Sequence, residues 1–251
     1  MDITQTFYDS LASQYDKLFL DWNESVREQA AILDRIFSGL GFDRGAEILD
    51  CACGIGTQAT GLAALGYHVT GSDISDAELA EARRRADDKG VRVRFEHADF
   101  CALEDVFPGQ FDIVIAMDNA LPHMLTREAL EKAVRSIAGR VRKGGLFAAS
   151  IRDYDSLLID KPPYSPPYIH KTGSGQRVSF QTWDWKGEIY HLKQYIIEDG
   201  ETLGVSSFEC DYRATRRDEL TVLLRKYGYG EVSWKFPEET GFYQPVVVAV
   251  K

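Results

Sequence analysis

The stretch Glu47-Ile48-Leu49-Asp50-Cys51-Ala52-Cys53-Gly54-Ile55-Gly56-Thr57 constrains the fold more than any other. An apolar run, Ala46 to Leu49, ends in an acidic residue, breaks at two glycines and passes into Thr57 to Leu65, whose apolar residues fit a helix. The pattern predicts a strand, a tight loop and a helix start, which lets backbone approach a ligand closely. A second strand, Tyr67 to Asp73, ends in another acid roughly twenty positions after the glycines, where a ribose-binding carboxylate belongs in doubly wound folds. The glycine spacing is Ala-x-Gly-x-Gly, not Gly-x-Gly-x-x-Gly, and the loop lacks the Lys-Ser/Thr pair of a P-loop. A pyrophosphate, and with it a nicotinamide dehydrogenase, is disfavoured.

The rest of the chain extends this unit. Ser75 with Glu78 has the pattern of a capping box opening a helix over Asp76 to Asp88, closed by Gly90. Val91 to Glu96 and Phe111 to Ala116 read as strands, Thr126 to Val141 as a helix, Lys143-Gly144-Gly145 as a turn and Leu146 to Ile151 as a strand. Five alternations imply an α/β fold, a doubly wound, mostly parallel sheet with helices on both faces. Ligands of such sheets lie at the carboxyl ends of the strands, here Asp50, Asp73, Asp99, Met117 to Asn119 and Arg152.

Thr4 to Leu40 carries aromatic and aliphatic residues at helical intervals with a break around Leu20 to Asn23, so two helices are expected, free to close over the ligand as a cap. After Arg152, Lys161 to Tyr168 is too proline-rich for regular structure and Lys171 to Gln176 reads as a polar glycine loop. Alternating stretches at Arg177 to Trp185, Glu188 to Glu198 and Gly204 to Tyr212 suggest an antiparallel lid. Thr215 and Asp218 are placed to cap a helix running to Tyr227, and Val246 to Val250 reads as a buried strand. The expected organisation is one domain, 1–251, with a helical cap (1–40), a ligand-binding core (46–151), a lid (157–212) and a last helix and strands (213–251).

A net charge of -10 argues against nucleic acid as a partner, since such binding needs clustered Lys and Arg. Arg83-Arg84-Arg85 lies among Glu78, Glu81, Asp87 and Asp88 and reads as a solvated helix face. No apolar run has the length of a membrane span, and Met1-Asp2-Ile3-Thr4 lacks the basic start and apolar core of a signal peptide, so a cytoplasmic location is expected. Cys51 and Cys53 are too close for an easy disulfide, and Cys101 and Cys210 are isolated, so buried thiols are expected; neither cysteines nor histidines show metal-ligand spacing.

Taken together, the loop, Asp73 and Ala98-Asp99-Phe100 resemble the class I S-adenosylmethionine-dependent methyltransferases. The resemblance implies a seven-stranded Rossmann-like sheet and S-adenosylmethionine as cofactor. It assigns Asp50, Ala52, Gly54 and Gly56 to the cofactor loop, Asp73 and Ile74 to the ribose side, Asp99 and Phe100 to the adenine side, and Met117 and Asn119 to the end of the fourth strand. Ala52 departs from the glycine that many members carry, which a negative φ would allow. In the family, the cap turns aromatic and basic residues toward the cofactor; Tyr15 and Arg27 are the candidates here, and an aromatic face suits a sulfonium.

Asp118-Asn119-Ala120-Leu121-Pro122-His123 and Ile151-Arg152-Asp153-Tyr154-Asp155 are similar to segments of the glycine and glycine/sarcosine N-methyltransferases, and Gln181 to Trp185 less specifically so. This narrower resemblance implies a small amino-acid acceptor, with Arg152 holding its carboxylate through a planar fork, Asn119 orienting it, and Tyr195 and Tyr212 supplying hydroxyls from the lid. His123 fits packing or capping as well as function. The rival readings are another small N- or O-acceptor, or a cofactor-binding regulatory module without turnover. Nothing in the sequence specifies an oligomeric state.

Overall fold

The alternation of strand and helix closes into a seven-stranded sheet in the computed structural model, which describes residues 3–173 and 175–251. Met1 and Asp2, with which the leader reading begins, and Ser174 within the expected polar loop lie outside the described residues. The chain enters through α1 (Ile3–Leu11), a 3-10 segment (Ala12–Leu18) and α2 (Trp22–Gly39). The break between helices is where it was expected, and Asp21 caps α2 by accepting from the amides of Asn23 and Glu24.

The core then runs β1 (Glu47–Asp50), α3 (Thr57–Ala64), β2 (His68–Asp73), α4 (Asp76–Asp88), β3 (Arg94–His97), β4 (Phe111–Ala116), α5 (Arg127–Arg140) and β5 (Val141–Ser150). After α6 (Tyr154–Asp160) come the strands β6 (Tyr168–Thr172), β7 (Gly175–Lys186), β8 (Ile189–Asp199) and β9 (Leu203–Arg213), then α7 (Arg217–Lys226), β10 (Glu231–Lys235), a short α8 (Pro237–Thr240) and β11 (Val246–Val250). The large sheet has the order β10-β11-β5-β4-β1-β2-β3, and only β11 runs antiparallel to its neighbours.

Strands β1, β4, β5 and β11 are apolar on both faces because helices cover both. On one side Ile48, Ile113, Ile115 and Ala148 meet Leu33 and Phe37 of α2, Leu62 of α3 and Leu79 of α4. On the other, Leu49, Val114, Phe147 and Ala149 meet Leu130, Val134 and Ile137 of α5 and Leu220 and Leu224 of α7. Helices α2 and α3 approach so closely at Gly61 that a Cβ there would meet the Val26 carbonyl oxygen at 2.6 Å.

Several expectations are corrected. Lys143-Gly144-Gly145 is not a turn before the strand but a bulge inside β5: Val141 pairs with Phe111 and Leu146 with Ile113, and Gly144 takes φ 70° to absorb the extra residues. Residues Tyr168 to Thr172, read as the end of a proline-rich coil and the start of a loop, form β6, paired with β7. Ser75 caps α4 through its hydroxyl, but only half of the expected box exists, because Glu78 is buried and its Oε1 finds no partner among the described residues. Thr215 and Asp218 do not cap α7, whose first residue follows Arg216 with no side-chain cap.

The four strands β6-β7-β8-β9 form a separate antiparallel sheet. Its buried face, with Tyr190, Leu192, Ile196, Cys210 and Tyr212, rests on Phe7 and Leu11 of α1 and on Ile151 and Tyr154. It therefore sits over the carboxyl ends of β4 and β5. No helix among the described residues is long and apolar enough to cross a membrane.

Candidate functional site

The strand ends, the N-terminal segment and the lid enclose a cavity of about 720 Å³. Its floor is the loop after β1: Ala52, Cys53, Gly54 and Ile55 all line it, and Gly54 and Gly56 take φ of 51° and 84°. These left-handed conformations are what let the chain turn from strand to helix in so few residues. A side chain on Gly54 would meet Glu78 Oε2 at 2.9 Å, so the glycine keeps open a cradle that a Cβ would fill. Gly56 does not reach the cavity; it is the residue before α3, and a Cβ there would crowd Thr60 and Ala82.

Asp73, at the end of β2, points along this loop. Its Oδ2 accepts from the Gly54 amide at 2.9 Å and its Oδ1 from the Ser75 amide at 3.0 Å. Burial raises its carboxyl above the ordinary range, although the two amides pull the other way. Each oxygen keeps a lone pair that a ribose diol can use. Ile74, Asp99, Phe100 and Met117 continue the wall, and Asp99 Oδ1 accepts from the Cys101 amide at 2.8 Å. Asp50 is different: it is fully buried beneath the loop, and burial drives its carboxyl far above the usual range.

From the N-terminal segment Tyr8 and Tyr15 reach the cavity. Arg27 does not; it lies on the exposed face of α2, and the residue that α2 turns inward is Gln29, which accepts from Gln58 Nε2 at 2.6 Å. The helical period places Arg27 one step off the buried stripe of Trp22, Val26, Gln29 and Ala30.

Asn119 and Arg152 are brought together, but one side chain behind the cavity wall. Asn119 is 2% exposed with φ 70°, and its Oδ1 accepts from the Arg152 amide and from the Tyr154 hydroxyl, both at 3.0 Å. The Arg152 guanidinium donates to Tyr190 Oη at 2.9 Å and Gln181 Oε1 at 2.8 Å, and lies over the rings of Trp183 (5.0 Å) and Tyr212 (5.6 Å). The Tyr212 hydroxyl stands 3.4 Å from that of Tyr8, which also meets His123 Nε2 at 2.8 Å. His123 thus faces the cavity, with its ring against Tyr212. Tyr195 is not part of this group. Pleat alternation puts it on the opposite face of β8 from Tyr190, stacked on Phe180 at 4.9 Å.

Asp118 lies in the Met117 to Asn119 strand end that the sequence points to, whereas Tyr8, Gln58 and Glu78 are parts of the cavity wall that it does not; Glu78 gives no signal, since a buried acid and a capping acid look alike in sequence. All four cysteines are buried thiols, and burial raises those of Cys51, Cys53 and Cys210. No cluster of side chains suited to a metal ion occurs among the described residues.

Comparisons with known proteins agree with this geometry. A family model described as a methyltransferase domain matches residues 48–145. The chain is 35% identical over 176 residues to the ubiquinone biosynthesis O-methyltransferase of Paraburkholderia xenovorans, an alignment spanning 63% of this chain and 75% of that protein. It is 27% identical over 242 residues to the glycine/sarcosine N-methyltransferase of Parasynechococcus marenigrum, spanning 96% of this chain and 77% of that one. Among solved structures, the CcbJ methyltransferase from Streptomyces caelestis superposes with a TM-score of 0.77 at 19% identity, over 100% of this chain and 98% of that chain. The cradle at Gly54 and the lone pairs of Asp73 fit an adenosyl ligand carrying a sulfonium. The chain belongs to the class I S-adenosylmethionine-dependent methyltransferases, with S-adenosylmethionine as its cofactor.

Proposed function

We propose that this methyltransferase acts on the amine of a small carboxylate-bearing acceptor, glycine, sarcosine or a similar amino acid. One observation carries the reading: Arg152 is a half-buried cation whose partners are all neutral, a tyrosine hydroxyl, a glutamine carbonyl and two aromatic faces. A guanidinium held in this way is set to exchange neutral acceptors for a carboxylate, which binds its fork with two charge-assisted hydrogen bonds. The relatives named for glycine and sarcosine N-methylation support the same acceptor class.

When bound, S-adenosylmethionine supplies a methyl carbon on a sulfonium whose departing sulfur is neutral, so alignment matters more than acid-base help to the leaving group. In this reading Asp73 and the Ala52 to Ile55 loop fix the adenosyl part, Tyr15 offers a ring face to the sulfonium, and Asn119 and Arg152, one side chain behind the wall, orient the acceptor once the Tyr212 ring moves aside. Orientation of this kind supplies roughly 7–11 kcal/mol at best. The test is mass-detected methyl transfer across glycine, sarcosine, dimethylglycine, and amines and alcohols without a carboxylate. Turnover confined to the carboxylate-bearing amines supports the proposal; equal turnover of carboxylate-free acceptors refutes it.

A further inference from the structure

Asp118 is a cavity-wall carboxylate with no assigned role in binding cofactor or acceptor. It follows β4, lines the cavity, and takes a left-handed backbone, φ 55°. Its Oδ2 accepts from Gln58 Nε2 at 2.7 Å and its Oδ1 from the Tyr243 hydroxyl at 2.9 Å. Both donors are neutral. The titratable groups that face it are Tyr15 from the N-terminal segment, Asp50 from β1 and Tyr243 from the loop before β11, and no lysine or arginine among the described residues offsets it. Burial raises its carboxyl above the ordinary range, opposed by the Gln58 and Tyr243 hydrogen bonds.

The loops after β4 and β5 are tied to each other. The Asp118 amide donates to Ser150 Oγ at 2.8 Å, the Asn119 amide to the Ser150 carbonyl at 3.1 Å, and the Arg152 amide to Asn119 Oδ1 at 3.0 Å. Asp118 is thereby fixed in the cavity wall as a carboxylate with only neutral hydrogen-bond donors, open to a cationic guest.

We propose that Asp118 receives the acceptor's ammonium group and takes one proton from it, leaving the attacking nitrogen neutral. This rests on the amine-acceptor function proposed above. The N–H electron pair stays on nitrogen as its lone pair while the proton passes to an Asp118 oxygen. That lone pair then forms the N–C bond as the C–S bond breaks and its electrons remain on sulfur. The product leaves as a methylated ammonium, and the protonated Asp118 gives its proton to water at the site's edge, where Tyr243 is 59% exposed.

The cofactor's own α-ammonium offers the same chemistry, so the test separates the two. Asp118→Asn suits the left-handed backbone, which Asn tolerates as well as Asp. For the wild type, kcat/KM with glycine or sarcosine should be flat above an acidic limb. For D118N it should fall about 100-fold or more at pH 7, the scale of a lost general base, and rise tenfold per pH unit toward the amine's own pKa. Calorimetric affinity for S-adenosylhomocysteine, which keeps the α-ammonium, should change less than about twofold, and it also reports an intact fold. As an independent variant, Tyr243→Phe removes a hydrogen bond that favours the carboxylate and should move the acidic limb upward in pH. Weakened S-adenosylhomocysteine binding with an unaltered acceptor profile would assign Asp118 to the cofactor and overturn the proposal; an unaltered profile in both variants overturns it too. A wild type that methylates no amine removes the acceptor reading and this role together, whereas amine turnover with a wild-type profile in D118N removes this role alone.

Discussion

Replacing Arg152 tests the acceptor reading most sharply. In the free protein its fork donates to Tyr190 Oη and Gln181 Oε1, two neutral acceptors. Both bonds already come from a charged donor, so what the carboxylate adds is the ion pair; truncating one partner of a buried, hydrogen-bonded charge pair costs upward of about 2 kcal/mol, and roughly 2–3 kcal/mol suits this half-buried site. At about 1.4 kcal/mol per tenfold, Arg152→Ala should raise the acceptor KM by roughly 30- to 150-fold. Arg152→Lys keeps the charge without the planar fork and should fall between the two. The assay is methyl-transfer saturation with glycine or sarcosine, alongside calorimetry with S-adenosylhomocysteine and a thermal melt of each variant. Cofactor affinity should change less than about twofold, because the guanidinium lies behind Asn119 and Tyr212 and does not line the cavity floor. An acceptor KM unchanged in Arg152→Ala, or a loss shared equally with the cofactor, would refute the reasoning.

Other outcomes follow from the same geometry. Asp73→Ala should weaken S-adenosylmethionine and S-adenosylhomocysteine alike, by roughly 10- to 100-fold for the loss of charge-assisted bonds; calorimetry with both ligands checks this, and selective loss of one would contradict it. Gly61→Val should lower the melting temperature by several degrees, since even a Cβ meets the Val26 carbonyl oxygen and overpacking costs about 1–3 kcal/mol. The Glu78 carboxyl is pushed up by burial and by the charges of Asp73 and Asp9, so the folded state holds its proton to a higher pH than the unfolded chain. Stability from this group is therefore fully present below the unfolded pKa and lost as pH rises, and Glu78→Gln should raise the melting temperature more at pH 8 than at pH 4.5; an equal gain at both would show that the side chain is not buried. Burial pushes the Cys210 thiol up to about 12, so it should resist iodoacetamide at pH 8 until the protein is denatured, as read by mass of the labelled peptide.

Much of this architecture was legible because period and punctuation agree locally. The Asp50 to Thr57 loop, the acid at Asp73 and the β4 range could be placed from sequence because each joins an apolar run to a residue with a distinct backbone or charge role. What escaped depends on which face a side chain takes. Arg27 and Gln29 differ by two positions on one helix, yet one is exposed and the other buried. Tyr195 and Tyr190 differ by five on one strand, an odd separation that puts them on opposite faces. The burial of Glu78 and the left-handed backbone at Asp118 and Asn119 arise from tertiary packing, for which a single sequence holds no local sign.

The N-terminal segment that roofs the cavity is fastened differently along its two margins. Toward α2 and the loop after β1 it is held by apolar contact, with Tyr15 and Phe19 packed on Trp22, Val26 and Ile55. Toward the lid it is stitched by Lys17 to Glu198 at 2.6 Å and by Arg177 to the Phe19 carbonyl oxygen at 2.8 Å. Ion pairs at such a seam are weak and screened by salt, whereas apolar contacts are not. Only the Lys17 end of the lid seam should loosen with salt, because Phe7 and Leu11 of α1 rest on the apolar face of the lid, so rising ionic strength should speed escape of spent cofactor past Lys17 while α1 stays docked.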